Sequence, residues 1–138
     1  LSMFISQQVL IEHARNVAWT TDDAIRVMEK LQERNSPNVC AATTTAPPAG
    51  FATWDAWLAD TTINGGGGKN LTGPDEWVQV ASTPVNVGIL EARVSVCWRN
   101  RGRIIGECAG NPLAPVDLNG NGVIDSPVTL INQLTCWQ

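Results

Sequence analysis

The sequence predicts an α+β domain in which one long N-terminal α-helix packs on a three- to four-stranded antiparallel β-sheet. Three observations carry that expectation. Apolar residues recur with a helical period over residues 3–35, and the period changes to two from Trp77 onward. Between the two regions lies a stretch rich in Pro, Gly and Thr with neither period. At 138 residues the chain has the length of a single domain able to bury a core. The expected division of this one domain, 1–138, is a helix at 3–35, an αβ connecting loop at 36–75, a β-meander at 76–108, and an Asp/Asn/Gly loop with a C-terminal strand at 109–138.

The helix is read from the stripe Met3, Leu10, Ala14, Val17, Ala24, Met28 and Leu31, with Gln7 and Thr21 in its gaps. Glu12, Arg15, Asp22, Arg26, Lys30 and Glu33 lie opposite. Thr21-Asp22-Asp23 has the composition of a cap, but the stripe runs through it, so one helix over 5–34 is expected, packed by Leu10, Ala14, Val17, Ala24, Met28 and Leu31 against the sheet or neighbouring molecules. A helix of that length, about 45 Å, outruns a small sheet, so its first turns should project. Asn35-Ser36-Pro37 ends it. In the connection, Thr53 to Leu58 suits one helical turn, and Gly65 to Gly68 reads as a flexible bend. Trp77 to Val80 reads as a strand. Leu90 to Trp98 alternates, with Ala92, Val94, Val96 and Trp98 on an apolar face and Arg93, Ser95, Cys97 and Arg99 on a wet one. Asn100-Arg101-Gly102-Arg103 is a hairpin turn, Ile104 to Cys108 the return strand, and Val128 to Leu134 the last strand.

Composition removes several function classes. Nine Lys and Arg against thirteen Asp and Glu give a net charge of −4, the wrong sign for a nucleic-acid surface. A single histidine, His13, rules out any site needing two and has no Ser or Cys partner in view. Gly65 to Gly68 with Lys69 lacks the spacing of a phosphate loop. Asp22/Asp23 and Asp75/Glu76 read as helix-end and turn carboxylates. Asn70-Leu71-Thr72 has the pattern of a glycosylation acceptor. No catalytic machinery emerges, and a non-enzymatic protein is expected.

Four cysteines, Cys40, Cys97, Cys108 and Cys136, with no C-x-x-C pair, suggest two disulfides in an oxidising compartment rather than zinc. The favoured pairing is Cys108–Cys136 around the Asp loop with Cys40–Cys97 pinning the connection; Cys97–Cys108 across the hairpin competes with it. Six Trp stand against two Phe and no Tyr. Trp98 belongs to the strand's apolar face, and Trp19 lies off the helix stripe, where exposure would make it a contact residue. Trp54 and Trp57, three apart in the connection, either fold back on the core or offer a binding pair for a sugar or a protein.

Asp117-Leu118-Asn119-Gly120-Asn121-Gly122-Val123-Ile124-Asp125 is the sharpest motif. It matches the start of an EF-hand-type loop. Asp117, Asn119 and Asn121 would offer side-chain oxygens to calcium, Val123 its carbonyl, and Asp125 a further oxygen. Where such a loop ends on a bidentate Glu, this chain has Val128, so Glu107 or another residue would have to complete a weak site. Two Asn-Gly turns without an ion are the alternative.

The helix stretch ARNVAWTTDDAIRVMEKLQERN and the strand pair ARVSVCWRNRGRIIGE, with the long connection and C-terminal cysteines, resemble the type IV pilin and type II secretion pseudopilin superfamily, and within it minor pilins of the PilV kind. The resemblance covers most of residues 5–134 and implies a pilin-like fold. It implies a structural subunit of an extracellular or periplasmic filament whose partners are other pilin or pseudopilin subunits, with cell adhesion or secretion as the setting. It also implies an apolar N-terminal helix segment, absent from these residues, that anchors the subunit in the inner membrane before assembly. Calcium loops near the C-terminus occur among pseudopilins, which supports that reading of the Asp loop. The competing expectation is an extracellular carbohydrate- or protein-binding module using Trp54 and Trp57.

Overall fold

The computed structural model describes residues 2–35, 44–71, 73–86 and 88–135. No Gly or Pro interrupts the first of these segments, and α1 runs unbroken over Ser2–Asn35. The Thr-Thr-Asp-Asp stretch does not cap because its side chains are used within the helix. Thr20 Oγ1 donates back to the Asn16 carbonyl at 2.6 Å, and Asp22 and Asp23 both pair with Arg26 one turn on.

Part of the expected stripe packs within the chain. Ala24, Met28 and Leu31 are buried as anticipated, joined by Val27, and Val17 is half-buried against the core. Leu10 and Ala14 are exposed, and the buried line continues instead through Asp23, Thr20 and Asn16. The buried apolar residues of the second half of the helix pack on the sheet, and Asp23 meets the connection at the Asn70 N–H.

β1 (Glu76–Asn86) pairs antiparallel with β2 (Ile89–Asn100), placing Trp77 opposite Cys97 and Val80 opposite Val94. The other edge of β2 is shared end to end by β6 (Val128–Thr135), with Val96 opposite Val128, and by β3 (Arg103–Ile105), with Trp98 opposite Ile105. Arg101 at φ 54 and Gly102 at φ 77 form the tight β2–β3 turn, the twist that a two-residue hairpin needs. β4 (Cys108–Ala109) and β5 (Ala114–Pro115) form a separate small ladder. Ala92, Val94, Val96 and Trp98 are fully buried beneath α1, where they meet Val27, Leu31 and Leu58. The long helix on an antiparallel sheet is thus the α+β architecture expected.

The wet face of β2 needs correction. Ser95 is 3% exposed and Cys97 0%. The chain after β3 doubles back over Cys97, and Cys97, Cys108 and Leu113, flanked by Trp77 and Ile104, make a second small core on the outer face. The disulfide is Cys97–Cys108, with Cα atoms 6.2 Å apart. This overturns the favoured pairing of Cys97 with Cys40 and of Cys108 with Cys136. Gly106 turns the chain directly over Cys97, so close that a Cβ there would lie 2.7 Å from the Cys97 Cβ. Cys40 and Cys136 lie outside the described residues.

The connection is ordered by its contacts. Thr53 caps α2 (Trp54–Ala59) by accepting from the Ala56 N–H at 3.0 Å. Gly65 to Gly68 is no loose bend: Gly66 N–H donates to the Trp57 carbonyl, and Arg26 donates to the Gly66 carbonyl, both at 2.7 Å. A Cβ on Gly66 would meet the Trp57 ring at 2.8 Å, so the glycine allows backbone to lie on indole.

Candidate functional site

The Asp117–Asp125 loop is built from its own side chains. Asp117 accepts from the backbone N–H groups of Asn121 and Gly122, at 3.3 and 2.6 Å. Asn119 Oδ1 accepts from Asn121 N–H and Asn121 Oδ1 from Val123 N–H, each at 3.1 Å. The side-chain amides of Asn119 and Asn121 both donate to Asp125 Oδ2, at 3.0 and 2.8 Å. These two amides, with the link to Glu107, hold the Asp125 carboxyl below its ordinary range. Four of the five residues named from the sequence therefore converge. Val123 joins them through its backbone N–H, and no contact of its carbonyl is among them.

Glu107 braces the loop. It is nearly buried, and its two oxygens accept from the Leu118 and Asp125 N–H groups, each at 2.7 Å. It ties the two ends of the loop together from beneath. The donor set facing the loop is oxygen-rich and hard, the chemistry calcium takes. It contains two carboxylates, and among the described residues no group of three His, Cys, Asp or Glu side chains is placed to hold a metal. The residues suit at most a weak, partly hydrated ion.

Trp54 and Trp57 are 4% and 6% exposed and meet edge to face, with ring centroids 5.5 Å apart. Trp54 donates its indole N–H to the Thr45 carbonyl at 2.7 Å. Both fill the core between the connection and the sheet, the first of the two readings offered by the sequence, and little of either ring is open to a ligand. Trp19, by contrast, is 40% exposed with Arg15 stacked over it at 4.5 Å.

No known protein family, curated protein or solved structure matches the chain.

Sequence reasoning missed a buried polar cluster where α1, the connection and β1 meet. Asp23 and Glu76, read as helix-end and turn carboxylates, are 0% and 1% exposed. Asp23 accepts from the Asn70 N–H at 3.0 Å and pairs with Arg26; Glu76 accepts from the Leu71 N–H at 3.1 Å. Burial first, and the facing Asp23 carboxylate second, push the Glu76 carboxyl up to about 9, so at neutral pH it keeps its proton and donates it toward Asp23. Asp55 completes the cluster. It bonds the Lys69 ammonium at 2.6 Å and accepts the outward-facing Val78 N–H at 2.9 Å, covering part of the β1 edge. The Asn70 side chain clasps the helix through the Trp19 carbonyl and Asp22, both at 3.0 Å, which commits the amide that a glycan would need; Thr72 lies outside the described residues. The one sequence signal for the cluster was the crowding of acids at 22–23 and 75–76.

Three consecutive exposed apolar side chains lie on the first half of α1. Leu10 and Ile11 are 67% and 68% exposed, and Val9 is also open. Arg101, from the β2–β3 turn, reaches this half of the helix and grips Glu12 with two contacts of 2.7 Å. Among the described residues no helix is long and apolar enough to cross a membrane.

Proposed function

We propose that the chain is a structural subunit of an extracellular or periplasmic filament, a minor pilin or pseudopilin of a type IV pilus or type II secretion system. The observation that carries this reading is the division of labour along α1. One unbroken helix packs its second half on the sheet through Ala24, Val27, Met28 and Leu31, while its first half runs on with Val9, Leu10 and Ile11 uncovered. A lone globular domain gains nothing from a helix that presents such a face to water, whereas a subunit that packs helix against helix does. The partners are other pilin or pseudopilin subunits. The reading carries with it an apolar stretch ahead of Leu1, held in the inner membrane before assembly and in the filament interior afterwards. It needs no chemistry and no enzyme activity.

The test is the coding sequence upstream of Leu1 together with fractionation of the intact gene product. The expected result is a processed leader junction running into an apolar helix continuous with α1, and recovery of the protein with sheared filaments or with the inner membrane. A conventional cleavable signal peptide and a freely secreted product overturn the reading.

Calcium at the Asp117–Asp125 loop belongs to the same proposal as a weak accessory ligand. What supports it is the convergence of Asp117, Asn119, Asn121 and Asp125 on one turn. Thermal unfolding in millimolar calcium against chelator should show a higher midpoint with calcium, and Asp117→Ala should abolish the difference. Equal midpoints in the wild type leave the loop as hydrogen-bonded turns.

A further inference from the structure

The first half of α1 and the β2–β3 turn enclose a cleft of about 430 Å³. Its walls are Val9, Leu10 and His13 from the helix and Arg101, Arg103 and Ile105 from the hairpin. The Glu12–Arg101 pair braces the two walls, so the cleft is formed before anything enters it. Arg103 is exposed and has no carboxylate partner among the described residues. On a chain of net charge −4, this is an apolar slot with a cationic rim.

The complementary shape is on the same chain. Leu118 is 73% exposed, and the backbone on which it stands is held by Glu107. It sits in the loop between Asp117 and Asp125, and from residue 109 to the end the chain carries these two carboxylates and no Lys or Arg. A presented leucine in an anionic collar is the counterpart of an apolar slot with a cationic rim. We propose that Leu118 of one copy of this chain seats in the α1/β2–β3 cleft of a second copy, with Asp117 of the calcium-free loop facing Arg103. The inference rests on the subunit reading above and gives one of its contacts a location. The two patches differ, so the contact is heterologous: each copy offers a knob and a slot, and repetition builds an open chain of subunits rather than a closed pair.

A contact this small is weak on its own, with Kd on the order of 0.1–1 mM. It is measured on the 138-residue chain by sedimentation velocity and by concentration-dependent amide shifts up to about 1 mM. Leu118→Arg breaks the knob and spares the slot; Arg103→Glu breaks the rim and spares the knob. Both positions are exposed, and unchanged thermal midpoints verify the folds, with Leu118→Ser as a milder second knob variant. Each variant alone should lose association at least about tenfold. An equimolar mixture of Leu118→Arg and Arg103→Glu should regain a 1:1 complex, because the intact knob of one meets the intact slot of the other. A monomeric wild type, variants that associate like the wild type, or a mixture no better than its components each overturn the inference. Wild-type association that both variants retain refutes this contact alone, while the leader junction decides the subunit reading separately.

Discussion

Two carboxylates, Glu76 and Glu12, respond to the fold in opposite directions. Glu76 is buried against Asp23, and its folded value of about 9 lies far above that of an ordinary glutamate. Between those two values the native protein holds a proton that the unfolded chain releases, so stability is fullest below the ordinary carboxylate range and is lost as pH rises toward 9. The slope approaches about 1.4 kcal/mol per pH unit for this one proton. Glu76→Gln, whose amide can donate as the protonated acid does, should flatten the decline between pH 5 and 9 in denaturant titrations. An unchanged pH profile would mean that Glu76 ionises normally in the native state. Glu12 is held by the Arg101 guanidinium, which lowers its carboxyl to about 2. Its contribution is present above the ordinary range and fades as pH falls toward 2. Because the pair is solvent-exposed, the effect on global stability should be small. The expected readout is local: Glu12→Gln should raise hydrogen exchange in the first half of α1 while leaving the thermal midpoint within about a degree.

At the scale of elements, the helix and strands were legible because their signals are local. The absence of Gly and Pro carries α1 past its cap-like middle, and strict alternation reveals the inner face of β2. What was not legible depends on what arrives from elsewhere. Cys97 looks solvent-facing by alternation, yet the segment from Gly106 to Leu113 folds over it. Leu10 and Ala14 continue the apolar stripe, yet they stay exposed, while Asp23 is buried where the connection and the start of β1 meet the helix. The loop residues Asp117, Asn119, Asn121 and Asp125 were found from spacing alone, since an Asx-rich turn closes on itself; the underside brace from Glu107 is a non-local pairing. The division of α1 is directly measurable. Leu31→Ala should cost about 2–5 kcal/mol, as for a fully buried leucine. Leu10→Ala should cost less than about 0.5 kcal/mol in the isolated chain. Equal losses at the two positions would mean that the first half of the helix is packed in solution.

The whole molecule is held by two cores on opposite faces of one sheet, a large one under α1 and a small one around Cys97–Cys108. Removing that disulfide with Cys97→Ser and Cys108→Ser together should lower stability by about 2–3 kcal/mol, given the short loop it closes. Peptide mapping without reduction should recover the Cys97–Cys108 link; a Cys108–Cys136 link instead would place the Asp loop inside a closed ring. The connection between α1 and β1 has a consequence of its own. By composition it is a protease's preferred target, an irregular stretch with four consecutive glycines and a lysine. Yet the Lys69 side chain is sunk onto Asp55 and the Glu76 carbonyl, at 2.6 and 2.8 Å, and the backbone on either side is bonded to the helix and to Trp57. Trypsin needs both an extended backbone and a free cationic side chain, and here neither is offered. Cleavage after Lys69 should therefore track global unfolding, so the segment that looks like a linker marks one of the last places at which a digest of the native protein begins.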